Sequence, residues 1–185
     1  MQTQINGCTL ELVRGNIVEQ EVDAIVNAAN SSLLGGGGVD GAIHRAAGPK
    51  LGLECLTLRG CATGQAKITK GYRLPARHVI HAVGPRYRDG RHGEAEQLAS
   101  AYHASLALAS QHQLQRIAFP AISSGIYGYP LDEAATIALR AVLDYLGTHD
   151  DLRLVRFVLF NDETYDAFCR ALTSLTRGES VEPGA

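Results

Sequence analysis

The sequence has no hydrophobic run that approaches the roughly 20 residues needed by a membrane-spanning helix. Its N-terminal segment, MQTQINGCTL, does not combine basic residues with a following apolar stretch, as a secretion signal does. We therefore expect a soluble, cytoplasmic protein that has no membrane partner.

A strong excess of charge and a metal-binding arrangement of cysteines are also absent. With 17 basic and 19 acidic residues, the formal net charge of -2 argues against a general nucleic-acid binder, although it does not exclude a local basic patch. Cys8, Cys55, Cys61 and Cys169 form no CxxC pair, and no nearby histidine has ligand spacing. We expect buried reduced thiols, and we predict neither a metal nor a cofactor.

What the sequence does contain is an alternation of strand patterns with helical patterns. Six segments are predicted as strands: 8–14, 23–29, 66–72, 78–84, 116–122 and 154–160. Five are predicted as helices: 39–47, 51–59, 94–113, 131–146 and 162–176. This order predicts an α/β protein with three layers, α/β/α, around a mixed, mostly parallel sheet of about six strands. We expect one domain over residues 1–178 and a loose tail over residues 179–185.

A glycine-rich loop, SSLLGGGGVDG, follows the second predicted strand. A fold keeps four adjacent glycines where the backbone must pass close to a ligand or adopt a positive φ, since glycine loses the most backbone entropy. The loop leads into a predicted helix, so its N–H groups and the helix dipole favour an anion such as phosphate, with a flexible turn as the alternative. Gly36, Gly38 and Gly41 also satisfy GxGxxG, but no strand immediately precedes them, and no GK[ST] P-loop occurs.

Polar residues stand next to this loop and in a second one. Asp40, at the start of the helix, either caps the helix or orients a water at a bound ligand. Asn27 and Asn30 precede the loop, and their amides suit ribose hydroxyls or serve as turn formers. Residues 123–125, Ser-Ser-Gly, follow another buried strand and offer N–H and hydroxyl donors to phosphate, with a plain turn as the alternative. Both loops follow strands, so we expect them on the same rim of the sheet.

Two motifs indicate a family. Asn30 is followed after six residues by Gly37-Gly38-Val39-Asp40, and Gly125 opens the sequence GIYGYP. The pair resembles the signatures of macrodomain hydrolases of the MacroD type, and TGQAKITKGYRLPARHVIHAVGP resembles that family's middle segment. The resemblance extends in order from residue 8 to residue 175 and is far more specific than a lone GxGxxG. It implies a macrodomain over residues 1–178 that binds ADP-ribose between two loops at the top of its sheet.

The resemblance also implies roles for individual residues. Asp40 and Asn30 are the predicted catalytic residues. Tyr127 is expected to close over the terminal (distal) ribose, and Phe160 to stack on adenine, with a core phenylalanine as the alternative. The predicted ligand-binding residues, which include loops 35–39 and 123–127, are Asn16, Ile17, Asn27, Gly35, Gly36, Gly37, Gly38, Val39, Ser123, Ser124, Gly125, Ile126, Tyr127 and Phe160.

One position departs from the family pattern. Where the family usually has Gly-Asp-Ile after its first strand, with the aspartate accepting a bond from the adenine amino group, this chain has Gly15-Asn16-Ile17. An amide oxygen accepts the same bond without charge, and charge-assisted bonds are roughly twice as strong, so we expect weaker adenine recognition. His44 and His81 are expected to be packed residues and not metal ligands, with a supporting role for His44 as the alternative.

By resemblance, the substrates are ADP-ribose esters: mono-ADP-ribosylated Asp or Glu side chains of proteins, and O-acetyl-ADP-ribose. Hydrolysis would use Asp40 and a water that the bound phosphates help to position. The first alternative is a reader module that binds ADP-ribose without chemistry. The second, a nicotinamide-dependent Rossmann enzyme, is disfavoured because no fingerprint lies next to a strand. The paired glutamates of a poly(ADP-ribose) glycohydrolase are not visible, so we do not expect polymer cleavage.

Overall fold

The computed structural model describes residues 1–178, and the tail predicted for residues 179–185 lies outside this part of the chain. Its strands are β1 (Gln2–Ile5), β2 (Cys8–Arg14), β3 (Ala24–Ala28), β4 (Ala66–Lys70), β5 (His78–Ala82), β6 (Arg116–Phe119) and β7 (Leu154–Leu159). Its helices are α1 (Gly38–Ala47), α2 (Pro49–Thr57), α3 (Glu94–Gln111), α4 (Leu131–Thr148) and α5 (Asp162–Gly178). A short 3-10 turn, Ile17–Glu19, follows β2.

The strands form one sheet in the order β1-β2-β7-β6-β3-β5-β4. The five central strands are parallel to their neighbours, whereas β1 and β4 pair antiparallel at the two edges. The predicted mixed, mostly parallel sheet is therefore confirmed. All five parallel strands end at the same edge of the sheet, and this edge is where open α/β sheets bind their ligands.

The sheet separates two hydrophobic cores, as the period-two pattern of its strands requires. In β3, Ala24 and Val26 face the core that α3, α4 and α5 cover, whereas Ile25 faces the core under α1 and α2. Helices therefore lie on both faces of the sheet, and the predicted three-layer α/β/α architecture is confirmed.

A cluster of buried aromatic rings connects α3 to the sheet. The ring centroid of Tyr102 lies 5.2 Å from that of Phe119 and 5.9 Å from that of Phe157. The Tyr102 hydroxyl accepts a hydrogen bond from the Ile122 N–H at 3.0 Å and donates to the Pro120 carbonyl at 3.4 Å. A core side chain thus fixes the backbone directly after β6, where the second predicted loop begins.

The sheet has seven strands and not six, because residues 2–5 form β1 at one edge. The strand QTQI is short, polar and alternately exposed, so it lacks the apolar run that marked the others. Asn6 and Gly7 join it to β2 with φ values of 49° and 80°. Asn-Gly at positive φ is typical of a tight hairpin turn, and this dipeptide is the signal that could have predicted β1.

No helix within residues 1–178 combines the length and hydropathy needed to cross a membrane. All four cysteines are free; Cys8, Cys55 and Cys61 are buried, and Cys169 is half-buried. Burial raises the pKa of the Cys8 and Cys55 thiols to about 11. The prediction of reduced thiols is confirmed, with Cys169 more accessible than expected.

Candidate functional site

A cavity of about 680 Å³ opens at the carboxyl edge of the parallel strands. It is walled by the segments that follow β2, β7, β6, β3 and β5, which are consecutive in the sheet. Four strand spacings of about 4.8 Å make this row about 19 Å long, so the cavity suits an elongated ligand. The predicted site residues that line it are Asn16, Ile17, Asn30, Gly36, Gly37, Gly38, Val39, Asp40, Ser123, Ser124, Gly125, Ile126, Tyr127 and Phe160.

The glycine loop leaves no room for side chains where it turns into α1. A Cβ on Gly36 would lie 3.2 Å from Asp40 Oδ2 and 3.4 Å from Asn30 Nδ2. A Cβ on Gly41 would collide with the Gly36 carbonyl oxygen at 2.6 Å. The N-cap of α1 is Gly37, and no side chain caps this helix end. Backbone N–H groups at the start of α1 therefore face the cavity without a side-chain acceptor, which favours an anion there.

Asp40 lies in the first turn of α1 and is almost fully buried. Its Oδ1 accepts a hydrogen bond from Asn27 Nδ2 at 2.8 Å and lies 3.3 Å from His44 Nε2. The alternative that Asp40 caps the helix is therefore wrong, because the side chain bonds to β3 and not to the helix end. His44 packs against Asp40 itself, so it holds the supporting position that was the less favoured interpretation.

A buried polar chain continues behind Asp40. The register of β3 and β5 pairs Asn27 with His81, and Asn27 Nδ2 lies 3.1 Å from His81 Nδ1. Burial, and then the nearby His44, lowers the pKa of His81 to about 3, so the ring is neutral at ordinary pH. Its Nδ1 accepts from Asn27 while its Nε2 donates to Thr69 Oγ1 at 2.9 Å. The expectation that His81 is a hydrogen-bonded core residue is confirmed.

Two of the predicted ligand-binding residues do not line the cavity. Asn27 is fully buried behind Asp40, because its place inside β3 turns its side chain towards β5. The carbonyl oxygen of Gly35 is turned inwards and accepts a hydrogen bond from Asn30 Nδ2 at 2.9 Å. Asn30 does line the cavity, and its Oδ1 also accepts from the Ser32 N–H at 3.1 Å. Asn30 thus shapes the loop, as a turn former does, while facing the cavity.

The second loop is held by its own hydroxyl groups. Ser123, at φ 65°, donates from Oγ to the Pro85 carbonyl at 2.8 Å, and Ser124 Oγ donates to the Ala121 carbonyl at 2.9 Å. The expectation that these hydroxyls are donors to a ligand is wrong for this arrangement, since both protons already have acceptors. The donors that this loop offers are its backbone N–H groups.

The two loops approach each other across the cavity. The side chain of Ile126 is largely exposed, and its Cδ1 would lie 3.5 Å from a Cβ placed on Gly37. Behind it, the guanidinium carbon of Arg86 stands 4.7 Å from the centre of the Tyr127 ring, within cation–π range. A ligand between the loops would therefore lie under Ile126 and beside Tyr127.

The opposite end of the cavity carries an exposed aromatic ring. Phe160, directly after β7, is 81% exposed, so the alternative of a core phenylalanine is wrong. Asn16 lies beside it, and its Oδ1 accepts a hydrogen bond from the Val18 N–H at 3.2 Å. The amide oxygen predicted to accept from a base is therefore shared with the backbone of the turn that follows β2.

Sequence reasoning missed several lining residues, among them Arg45, Arg86 and Thr164. Arg86 directly follows the strand pattern HVIHAVGP, so the rule that ligands lie beyond strand ends could have identified it. Arg45 and Thr164 lie on helices, and nothing in their local sequence separates them from other exposed positions.

Asp89, His92 and Glu94 bring potential metal ligands within 4.8 Å of one another, outside the cavity. The Glu94 carboxylate, however, accepts hydrogen bonds from the backbone N–H groups of Arg88, Asp89, Gly90 and His92. These bonds explain the cluster as an anchor for a loop.

Comparisons with known proteins agree with the fold and the motifs. Residues 26–138 match the model of the Macro domain family. A macro domain-containing protein of Chlorobaculum tepidum is 56% identical over 165 residues, which cover 89% of this chain and 96% of that protein. The solved Oceanobacillus iheyensis macrodomain with ADP has a TM-score of 0.92 at 44% identity, covering 96% of this chain and 97% of that one.

A Trypanosoma brucei macrodomain, solved in complex with ADP-ribose, has a TM-score of 0.83 at 44% identity. The match covers 88% of this chain and 68% of that one. A family model that spans more than half of the sequence, together with relatives of this identity and coverage, leaves no room for a nicotinamide-dependent Rossmann enzyme. The chain belongs to the Macro domain family.

Proposed function

We propose that this macrodomain binds ADP-ribose and hydrolyses esters at its terminal ribose. The substrates would be mono-ADP-ribosylated Asp or Glu side chains and O-acetyl-ADP-ribose, in the cytoplasm. The observation that carries the proposal is one elongated cavity with an exposed aromatic ring at one end and the buried Asp40 carboxylate at the other. Macrodomains similar to this chain have been solved with ADP and with ADP-ribose, and this supports the choice of ligand.

ADP-ribose matches the order of groups along the cavity. Adenine would stack on Phe160, after β7, and the diphosphate would lie between the glycine loop and loop 123–127. The N–H groups at the start of α1 favour the phosphate charge, and these groups are far more effective where water is excluded. The terminal ribose would then lie after β3 and β5, between Tyr127 and the pair of Asn30 and Asp40.

The reaction follows from the position of Asp40. A water held near the Asp40 carboxylate would attack the carbonyl carbon of the ester. The bond from that carbon to the ribose oxygen breaks, the oxygen regains a proton, and the products are a free carboxylic acid and ADP-ribose. Asn27 and His44 hold Asp40 Oδ1, which leaves Oδ2, next to Gly36, as the atom nearest the glycine loop. Fixing the water and ester in one geometry supplies much of the rate enhancement.

The proposal is tested by turnover of a Glu-linked mono-ADP-ribosylated protein and of O-acetyl-ADP-ribose. Wild type, Asp40→Ala and Asp40→Asn are compared, with the affinity for free ADP-ribose measured in parallel. We expect both variants to lose at least about a hundredfold in kcat, a typical contribution of acid–base catalysis. Their ADP-ribose affinity should stay within a few fold, because Asp40 acts on the water. Tight ADP-ribose binding by a wild type that hydrolyses neither ester would instead establish the reader module.

A further inference from the structure

A loop rich in arginine extends from the cavity beyond β5. Residues 86–92, RYRDGRH, here called the arginine loop, contain Arg86, Arg88 and Arg91, all exposed. Within residues 1–178, no carboxylate comes within ion-pair distance of these three guanidinium groups. The single acidic residue of the loop, Asp89, pairs with His92 at 2.8 Å. The loop therefore presents unneutralised positive charge in a chain whose net charge is -2.

The buried Glu94 carboxylate fixes the backbone of the arginine loop. Glu94 Oε2 accepts hydrogen bonds from the N–H groups of Arg88, Asp89 and Gly90 at 2.9–3.1 Å, and Oε1 accepts from His92 at 2.6 Å. Glu94 is only 2% exposed, so its charge is committed to the backbone and does not reach the loop surface. The arginines are thus held on a defined turn, which lowers the entropic cost of presenting them together.

The arginine loop is also attached to the end of the cavity that contains Asp40. The Tyr87 N–H donates to the Tyr127 carbonyl at 2.9 Å, and the Arg86 guanidinium covers the Tyr127 ring. In the sheet, β5 is next to β3, which leads to Asp40, whereas Phe160 follows β7 on the far side of β6. A molecule attached to the terminal ribose would leave the cavity at the end where the arginine loop begins.

We propose that the arginine loop docks an acidic segment of a mono-ADP-ribosylated protein, next to the modified side chain. This inference rests on the proposed function, because that function places the terminal ribose beside Asp40. Guanidinium groups bind carboxylates with two parallel hydrogen bonds, so neighbouring Asp and Glu residues of the substrate match Arg88 and Arg91. The loop would thus favour modified sites in acidic sequences.

The same charges fit a nucleic acid less well. Nucleic-acid binding uses a wide basic surface and exposed aromatic rings for stacking on bases. Here the basic surface is one short loop, and its aromatic residue, Tyr87, packs against Tyr129 with ring centroids 4.8 Å apart. The ring is therefore occupied, and the observations favour a protein segment.

The test measures the affinity of two peptides that carry ADP-ribose on a central residue through a linkage that resists hydrolysis. One peptide has Asp and Glu around that residue, and the other has Asn and Gln. Both are titrated into wild type and into the double variants Arg88→Gln/Arg91→Gln and Arg88→Lys/Arg91→Lys. Arg140→Gln serves as a control, because Arg140 is an exposed arginine on α4. Free ADP-ribose is titrated into every protein.

We expect wild type to bind the acidic peptide about two- to tenfold more tightly than the neutral one at low salt, since exposed ion pairs are individually weak. The preference should shrink at about 0.5 M salt. It should vanish in the double glutamine variant and persist in the double lysine variant and in Arg140→Gln. Affinity for free ADP-ribose should not change in any of these proteins.

Three outcomes would overturn the inference. If free ADP-ribose binds but both peptides bind equally, the docking surface is wrong and the proposed function stands. If free ADP-ribose does not bind, the proposed function fails and the inference fails with it. If an ADP-ribosylated oligonucleotide binds more tightly than the acidic peptide, and that advantage depends on Arg88 and Arg91, the partner is a nucleic acid.

Discussion

Removing the Phe160 ring should weaken ADP-ribose binding without destabilising the fold. The ring is 81% exposed at the end of the cavity assigned to adenine. Stacking of a base on an aromatic side chain contributes about 1–3 kcal/mol, which corresponds to about 5- to 150-fold in Kd. Phe160→Ala should therefore raise the Kd for ADP-ribose by a factor in this range, while Phe160→Tyr should retain most of the affinity. Calorimetric titration measures both.

Phe157 supplies the matched control for this prediction. It lies three residues earlier in the same strand, but it is fully buried and packs against Phe119 and Tyr102. Phe157→Ala should cost about 3–5 kcal/mol of unfolding free energy, because it opens a cavity in the core. Phe160→Ala should change that free energy by about 0.5 kcal/mol or less, as exposed positions do. An unchanged Kd for Phe160→Ala would refute the placement of adenine.

Two further predictions concern Asn16 and Glu94. Asn16→Asp should bind ADP-ribose more tightly than wild type, because a charged acceptor forms the stronger hydrogen bond to the adenine amino group; a calorimetric Kd equal to that of wild type would count against this role. Although desolvation opposes its ionisation, the backbone N–H groups of the arginine loop hold the pKa of Glu94 at about 2, below its usual value of 4.5. A depressed carboxyl pKa stabilises the fold above the unfolded-state value and loses this contribution as pH falls from about 4.5 to about 2. Urea unfolding over that range should show a steeper loss of stability for wild type than for Glu94→Gln, and parallel curves would contradict the anchor.

Much of the fold was predictable because its parallel strands are buried on both faces. Apolar segments such as LVRFVLF have that pattern, and the helices between them have clear apolar periodicity. The position of the cavity followed from the same pattern, since loops after parallel strands meet at one edge. The glycine loop and Phe160 were identified because their local sequences, four glycines and an aromatic residue at a strand end, already indicate a ligand.

What could not be predicted depends on contacts between distant parts of the chain. The position of Asn27 behind Asp40 follows from the register that pairs it with His81, which is 54 residues away. The hydroxyl of Ser123 is occupied because Pro85 happens to pass next to it. Arg86 becomes part of the cavity only because β5 lies next to β3 in the sheet. Local sequence contains none of this information.

Titration of free ADP-ribose into the purified wild-type chain tests the central claim most directly. The two loops and the Phe160 ring predict one-to-one binding with a measurable heat, and AMP, which lacks the terminal ribose and one phosphate, should bind more weakly. No heat at millimolar ADP-ribose would contradict the account, because neither a hydrolase nor a reader of this ligand works without binding it.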